Sequence, residues 1–116
     1  MMGELKMVEA IIRPQMLDQV MRALRDLSYP GMTITEVRGH GKQKGARQVW
    51  RGDPYVIEFV PKLKLEIAVL AEDSDRVVNA MMRAVRTGSP GDGKIFVIDL
   101  EDAVRVRTGE SGFNAI

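Results

Sequence analysis

An α+β sandwich made from two copies of a strand–helix–strand unit is the fold class this sequence predicts. Two alternating apolar segments each lead into a helix with an apolar stripe, and each helix is followed by a further strand-like segment. The 116 residues make one domain, and with 45% hydrophobic residues it can bury a core of ordinary size.

The first strand covers residues 6–13, where Val8, Ala10 and Ile12 alternate toward one face. Pro14 opens a helix, a favoured position because its missing N–H would go unsatisfied in the first turn. Leu17, Val20, Met21, Leu24 and Leu27 then recur at helical spacing. The sequence SYPG (28–31) ends that helix, and residues 32–39, MTITEVRG, are rich in the β-branched types that suit a strand. The second unit starts at residues 62–70, where Leu63, Leu65, Ile67 and Val69 face one way and Lys62, Lys64 and Glu66 the other. A helix follows with Ser74 or Asp73 as its cap and a stripe of Val77, Val78, Met81, Met82 and Val85. Residues 94–100, KIFVIDL, are the fourth strand. This order describes the ferredoxin-like βαββαβ sandwich, with both helices on one sheet face. The eight methionines fall mostly on the helical stripes, where their flexible side chains fill irregular gaps.

Two features exceed a minimal sandwich. Some twenty residues, GHGKQKGARQVWRGDPYVIEF (39–59), join the second and third strands, a long connection for a compact domain. VW and YVIEF have strand propensity, so the segment can form an extended hairpin. Glycines 39, 41, 45 and 52 favour mobility, and Lys42, Lys44, Arg47 and Arg51 make the arm basic. A projecting basic arm reads as a contact device. The other feature is the second sheet face. Met7 and Ile11 share a strand with the inward residues, and Phe96, Ile98 and Leu100 alternate with Ile95 and Val97. Apolar residues on both sides need cover, which predicts a closed symmetric homo-oligomer.

Composition narrows the function. A net charge of +1 argues against a general polyanion-binding surface. The absence of cysteine removes disulfides, thiolate zinc sites and thiol catalysis, and the single histidine, His40, cannot build a histidine-rich metal site. The apolar stretches are too short to span a bilayer and residues 1–6 lack a signal-peptide core, so a soluble cytoplasmic protein is expected.

Residues 87–94, TGSPGDGK, hold the chemistry-bearing glycines. The segment joins a helix to a strand, the reverse of a P-loop, and lacks the P-loop spacing. Gly91 and Gly93 can nonetheless expose successive N–H groups as an anion nest, with Lys94 adding a point charge; a plain turn is the competing reading. In VRVRTGE (104–110), Arg105 and Arg107 alternate with valines, so both project from one side of an extended segment and suit phosphate recognition. Lys62 or Lys64 can meet a carboxylate ligand. No nucleophile–base pair and no two poised carboxylates are evident.

EAIIRP, GMTITEVRGHGKQKG, TGSPGDGKIFV and RVRTGE, in that order and over nearly the whole chain, resemble the PII nitrogen-regulatory signal-transduction proteins. The resemblance implies a homotrimer that binds ATP or ADP in clefts between subunits, senses 2-oxoglutarate with Mg²⁺, and acts on targets through its arm. The arm, about residues 40–58, is similar to the family's T-loop, residues 87–94 to its B-loop and residues 104–111 to its C-loop. It further implies ligand contacts from Thr87, Gly88, Gly91, Asp92, Gly93 and Lys94, with Arg105 and Arg107 closing over the phosphates from the neighbouring chain. Ile11 and Thr33 would lie near the adenosine end. Gly41, Lys42, Gln43, Lys44 and Gly45 would form the arm's base, where Gln43 helps hold Mg²⁺ and 2-oxoglutarate, and Lys62 would pair with a 2-oxoglutarate carboxylate. Arg47, Trp50, Arg51 and Tyr55 would touch the partner, and Tyr55 stands where some members are uridylylated. Trp50, Asp53, Pro54 and the Ser89-Pro90 pair depart from the family's usual pattern, as do Arg47 and Gln48.

The implied partner is an ammonium transporter or another nitrogen-metabolism target, which would bring the protein to a membrane only indirectly. A divergent relative serving carbon metabolism or nitrogenase is the alternative. Two other classes share the fold. RNA binding needs stacking aromatics on the central strands, and only Phe96 lies on one. A small phosphate-handling enzyme needs an Arg and an Asn placed to activate water, and no such pair is identifiable; fold alone is a poor guide. The sequence therefore points to a regulator that is neither an enzyme nor a nucleic-acid binder.

Overall fold

The computed structural model describes residues 4–44 and 55–116. Its elements are β1 (Leu5–Ile12), α1 (Leu17–Asp26), β2 (Thr33–Lys44), β3 (Tyr55–Leu70), α2 (Ser74–Val85) and β4 (Lys94–Leu100). The four strands form one antiparallel sheet in the order β2-β3-β1-β4. The chain thus folds as the expected ferredoxin-like sandwich.

Alternation decides which face is buried. Val8, Ala10 and Ile12 of β1 lie opposite Ile67, Leu65 and Leu63 of β3. Together with Val20 and Leu24 of α1 and Val77, Met81 and Val85 of α2 they form one buried cluster. Met82 and Val78, expected on the α2 stripe, lie at its margin: Val78 only packs against the cluster, and Met82 is exposed. The opposite face stays open in the single chain, with Phe96 47% and Ile98 45% exposed beside half-buried Met7 and Ile11. An apolar face of this kind needs cover.

Several local expectations change. Pro14 opens a 3-10 turn, Pro14–Met16, from which α1 continues. The helix ends with Ser28 at φ 66°, and the Tyr29 N–H reaches back to the Leu24 carbonyl at 2.8 Å, a closure usually left to glycine. Neither expected cap of α2 makes a capping bond. The Asp73 carboxylate instead accepts from the Tyr29 hydroxyl at 2.5 Å and from Arg76 at 2.9 Å, while Ser74 Oγ donates to the Ala71 carbonyl. The 3-10 turn Ala71–Asp73 leads into the helix in place of a side-chain cap.

The long connection proves to be largely a continuation of the sheet. β2 and β3 stay in register from Thr33↔Glu66 out to Lys44↔Tyr55. Gly39 and Gly41 therefore belong to a strand, and Gly45, Arg47, Trp50 and Arg51 fall outside the described residues. Residues 104–110 are also different from expectation. They form a tight turn, closed by Gly109 N–H to Arg105 O at 2.7 Å and Arg105 N–H to Glu110 O at 2.8 Å, with Val104 bridged to Ser111. Gly109 at φ 75° permits the turn, so strand alternation does not set Arg105 and Arg107.

Tyr29 ties the end of α1 to the start of α2. Its hydroxyl donates to Asp73 and accepts from the Leu70 N–H at 3.2 Å, and burial together with the Asp73 bond pushes the phenol pKa up. Tyr29→Phe removes both bonds and should cost about 1–2 kcal/mol in urea denaturation, the loss expected for two partly buried hydrogen bonds.

Candidate functional site

The site is built where the C-terminal end of β1 meets the glycine-rich segment ahead of β4. Ile11 and Lys94 are the last partners of the β1–β4 ladder. Just before it, Gly93 crosses β1 so closely that a Cβ there would lie 1.9 Å from the Ile11 carbonyl oxygen, at a φ of 112°. Only glycine fits that crossing. Gly91 adopts φ 94°, and a Cβ on it would meet Arg13 Nη2 at 3.1 Å and Lys62 Nζ at 3.9 Å. The two positive-φ glycines flank Asp92, and backbone bends of this kind can gather N–H groups toward an anion. Pro90 and Gly91 form the corner of a hydrogen-bonded turn that brings the Asp92 N–H to the Ser89 carbonyl, and among the described residues no hydrogen bond engages the N–H groups of Gly91 or Gly93.

A single carboxylate shapes the rest of the loop. Asp92 turns its side chain back along the chain, where Oδ2 accepts the Thr87 N–H at 2.8 Å and the Gly88 N–H at 2.9 Å. Oδ1 takes the Thr87 hydroxyl and Arg13 Nη1, the latter at 2.5 Å. These donors, Thr87 first, hold the Asp92 pKa well below the usual carboxylate range despite some burial. Thr87 and Gly88 were expected among the ligand contacts; their N–H groups are spent on Asp92, so they brace the loop. The turn reading of this segment is realised in the bonds that Asp92 makes to Thr87 and Gly88.

Two more cations reach the loop from neighbouring strands. Arg13 Nη2 donates to the Pro90 carbonyl at 2.9 Å, and Lys62 Nζ, from β3, donates to the Gly91 carbonyl at 2.8 Å. Lys94 makes no ion pair among the described residues. The three cations, with Ile11, Val60 and Phe96 as apolar walls and Gly39, His40, Pro90, Gly91 and Gly93 as the remainder, enclose a groove of about 580 Å³. Among the described residues, no carboxylate lines it. Such a groove favours an anion carrying an apolar part. Lys94 and Gly93 also border a second groove of about 350 Å³ on the helix side, with Val78, Met82 and Val85 of α2 and Arg86 just beyond it.

Other candidates lie apart. Thr33 lines a different groove, of about 560 Å³, with Glu66, Ala68, Ala103 and Ile116. Arg105 faces Glu110 at 3.6 Å and the Ile116 carbonyl at 3.4 Å, and Arg107 is exposed in the 104–110 turn. Gly41, Lys42, Gln43 and Lys44 extend β2 opposite Glu58, Ile57, Val56 and Tyr55. One chain therefore assembles Ile11, Lys62, Gly91, Gly93 and Lys94 but not Thr33, Arg105 or Arg107. Arg13, which sequence reasoning passed over, is the residue that joins Asp92 and Pro90; a lone cation between a strand and a proline carries no recognisable pattern.

Residues 5–110 match the family model described as nitrogen regulatory protein P-II. This chain belongs to the P-II family. Curated P-II proteins of Bradyrhizobium diazoefficiens and Pasteurella multocida are 47% and 49% identical over 112 residues, which is 97% of this chain and 100% of each relative. Among solved structures, Arabidopsis thaliana PII bound to citrate is 40% identical, with a TM-score of 0.81 over 97% of this chain and 92% of that one. The B. subtilis GlnK–ATP complex is 33% identical, with a TM-score of 0.83 over 100% and 99%. P-II proteins are named for regulation, so this member is a regulatory protein and not an enzyme. Among the described residues, no helix is long and apolar enough to cross a membrane.

Two outcomes follow from the loop. Gly93→Ala must displace backbone at the Ile11 crossing and should cost at least about 2–3 kcal/mol, read by urea denaturation. Asp92 has a lowered pKa, so its bonds are complete above the ordinary value of 3.8 and are lost only as pH falls through the lower folded value. The amide chemical shifts of Thr87 and Gly88 should accordingly titrate well below pH 3.8, and Asp92→Asn should abolish that titration.

Proposed function

We propose that this P-II protein is a trimeric sensor of ATP or ADP and of 2-oxoglutarate that signals to a nitrogen-metabolism target through its arm. The observation that carries this reading is the pair of unengaged N–H groups at Gly91 and Gly93 beside Lys94, in a groove lined by three cations and, among the described residues, no acid. Free N–H groups with an adjacent ammonium suit a phosphate, and Lys62 on the groove's other wall suits a carboxylate. Two solved relatives have matching chemistry, one in complex with ATP and one with citrate.

The separation of Thr33, Arg105 and Arg107 from this groove favours a site shared between subunits. Association through the open sheet face, where Phe96 and Ile98 are exposed, would bring a neighbour's arginines to the phosphates. The described residues include no cluster of three histidine, cysteine or carboxylate ligands, and the Asp92 carboxylate is already engaged. A Mg²⁺ ion would therefore arrive on the nucleotide's phosphates, with Gln43 supplying an oxygen from the base of the arm.

Regulation then becomes a competition between arm conformations. Gln43 and Lys62 lie on the two strands that carry the arm, so a ligand held by both biases the arm, and only by its differential affinity for the two conformations. Arg47, Trp50, Arg51 and Tyr55 would present the arm to a partner protein, with Tyr55 the residue open to modification. The site of action is the cytoplasm, where ATP and 2-oxoglutarate are both metabolites.

The test is calorimetric titration of ATP into the full chain, with mass measured by light scattering. Wild type should scatter as a trimer at micromolar concentration and bind ATP. Lys94→Ala should weaken that binding by about 1.5–3 kcal/mol, the range of a charge-assisted contact, and Arg107→Ala should weaken it as well. Unchanged affinity in both variants, or a monomer mass, would overturn the shared-site reading.

A further inference from the structure

We propose that Arg13 is the positioning residue of the glycine loop, clamping Asp92 and Pro90 from the end of β1 so that the Gly91 and Gly93 N–H groups are already set for phosphate. This inference rests on the reading of that loop as a phosphate site, and deepens it.

The clamp has two prongs. Arg13 Nη1 meets Asp92 Oδ1 at 2.5 Å and Nη2 meets the Pro90 carbonyl at 2.9 Å, with both charged side chains about one-fifth exposed. A planar guanidinium can satisfy a carboxylate and a carbonyl together, whereas an ammonium is a single point charge. Through its second oxygen Asp92 holds the N–H groups of Thr87 and Gly88. One guanidinium thereby fixes a carboxylate that ties the start of the loop to its end. The anchor itself is stiff. Arg13 follows the last paired residues of the central strand, is extended at φ −68° and ψ 138°, and precedes Pro14, which disfavours helical alternatives.

A loop with three glycines at positive φ has many competing conformations, and a ligand that had to choose among them would bind more weakly. The clamp makes that choice during folding. It also neutralises Asp92, the only carboxylate within the nest. Arg13 could alternatively act by touching phosphate directly, and the two roles predict opposite signs for Asp92→Asn. Removing a negative charge beside an anion site should tighten ATP if Arg13 is simply a binding cation. If Arg13 acts through Asp92, the same change loosens the loop and weakens ATP.

The experiment titrates ATP and adenosine into the full-length wild type, Arg13→Ala, Arg13→Lys, Asp92→Asn and Lys6→Ala. Lys6→Ala removes an ion pair with Asp99 elsewhere on β1 and serves as the control for lost stability. Arg13→Ala should weaken ATP at least tenfold and adenosine less than twofold, Arg13→Lys should fall between, and Asp92→Asn should weaken ATP about fivefold or more. Lys6→Ala should bind both as wild type does. Amide exchange without nucleotide reads the clamp separately: Thr87 and Gly88 should lose protection at least tenfold in Arg13→Ala, with Val8 unchanged. ATP affinity within twofold of wild type in Arg13→Ala, equal weakening of ATP and adenosine, tightening in Asp92→Asn, or unchanged exchange would each overturn the proposal. If Arg13→Ala does not fold, Arg13→Lys and Asp92→Asn decide by the same ratios. Wild type that takes no ATP would end the phosphate reading, while the exchange data would still judge the clamp.

Discussion

The simultaneous pairing of β1 with β3 and β4 is the constraint on which the rest of this molecule depends. Its inner residues, Val8, Ala10 and Ile12, are all but inaccessible, so the strand cannot shift register without exposing the core. Holding β1 between two antiparallel neighbours also holds everything at its C-terminal end. Ile11 is delivered to the groove wall and Arg13 to the loop. β4 must begin directly beside them, and the chain reaches that start only by crossing the Ile11 carbonyl at Gly93. The glycine is thus required by the sheet before it is of use to any ligand.

Electrostatics then divides the loop into a part that is closed and a part that is open. Asp92 draws Thr87, Gly88 and Arg13 to itself, leaving the Gly91 and Gly93 N–H groups without partners among the described residues. A carboxylate beside the groove would ordinarily oppose any anion there. Here its charge is directed away from the groove and matched by a guanidinium, so the cations left facing the groove act with little opposition. Lys62 adds a link of another kind. It reaches the loop from β3, one of the strands that carry the arm, and its contact with the Gly91 carbonyl couples the loop and the arm at a single atom.

The departures from family pattern noted in the sequence gain a structural setting. Pro90 cannot donate an N–H, yet its carbonyl is one of the two points held by Arg13, so the substitution keeps the acceptor that the loop uses. Family membership, established over residues 5–110, accounts for the regulatory role.

The sequence by itself determined the order of elements, the buried face of each strand and the core stripes, because periods of two and 3.6 residues translate directly into faces. For residues 87–94 the sequence offered an anion nest and a plain turn side by side, since glycines ahead of a strand suit both. What only the tertiary structure decided were contacts between positions far apart in the chain. Arg13 with Asp92, Tyr29 with Asp73 and Lys62 with Gly91 leave no periodic trace, because each depends on where two elements cross. The same limit explains the cap at α2 and the turn at 104–110. Local propensity favoured a Ser or Asp cap and an alternating strand, but Asp73 was recruited by Tyr29 and Arg76, and Gly109 allowed the chain to close on itself. Side-chain chemistry is written in the sequence, but the pairing of distant groups is settled only when the sheet brings them together.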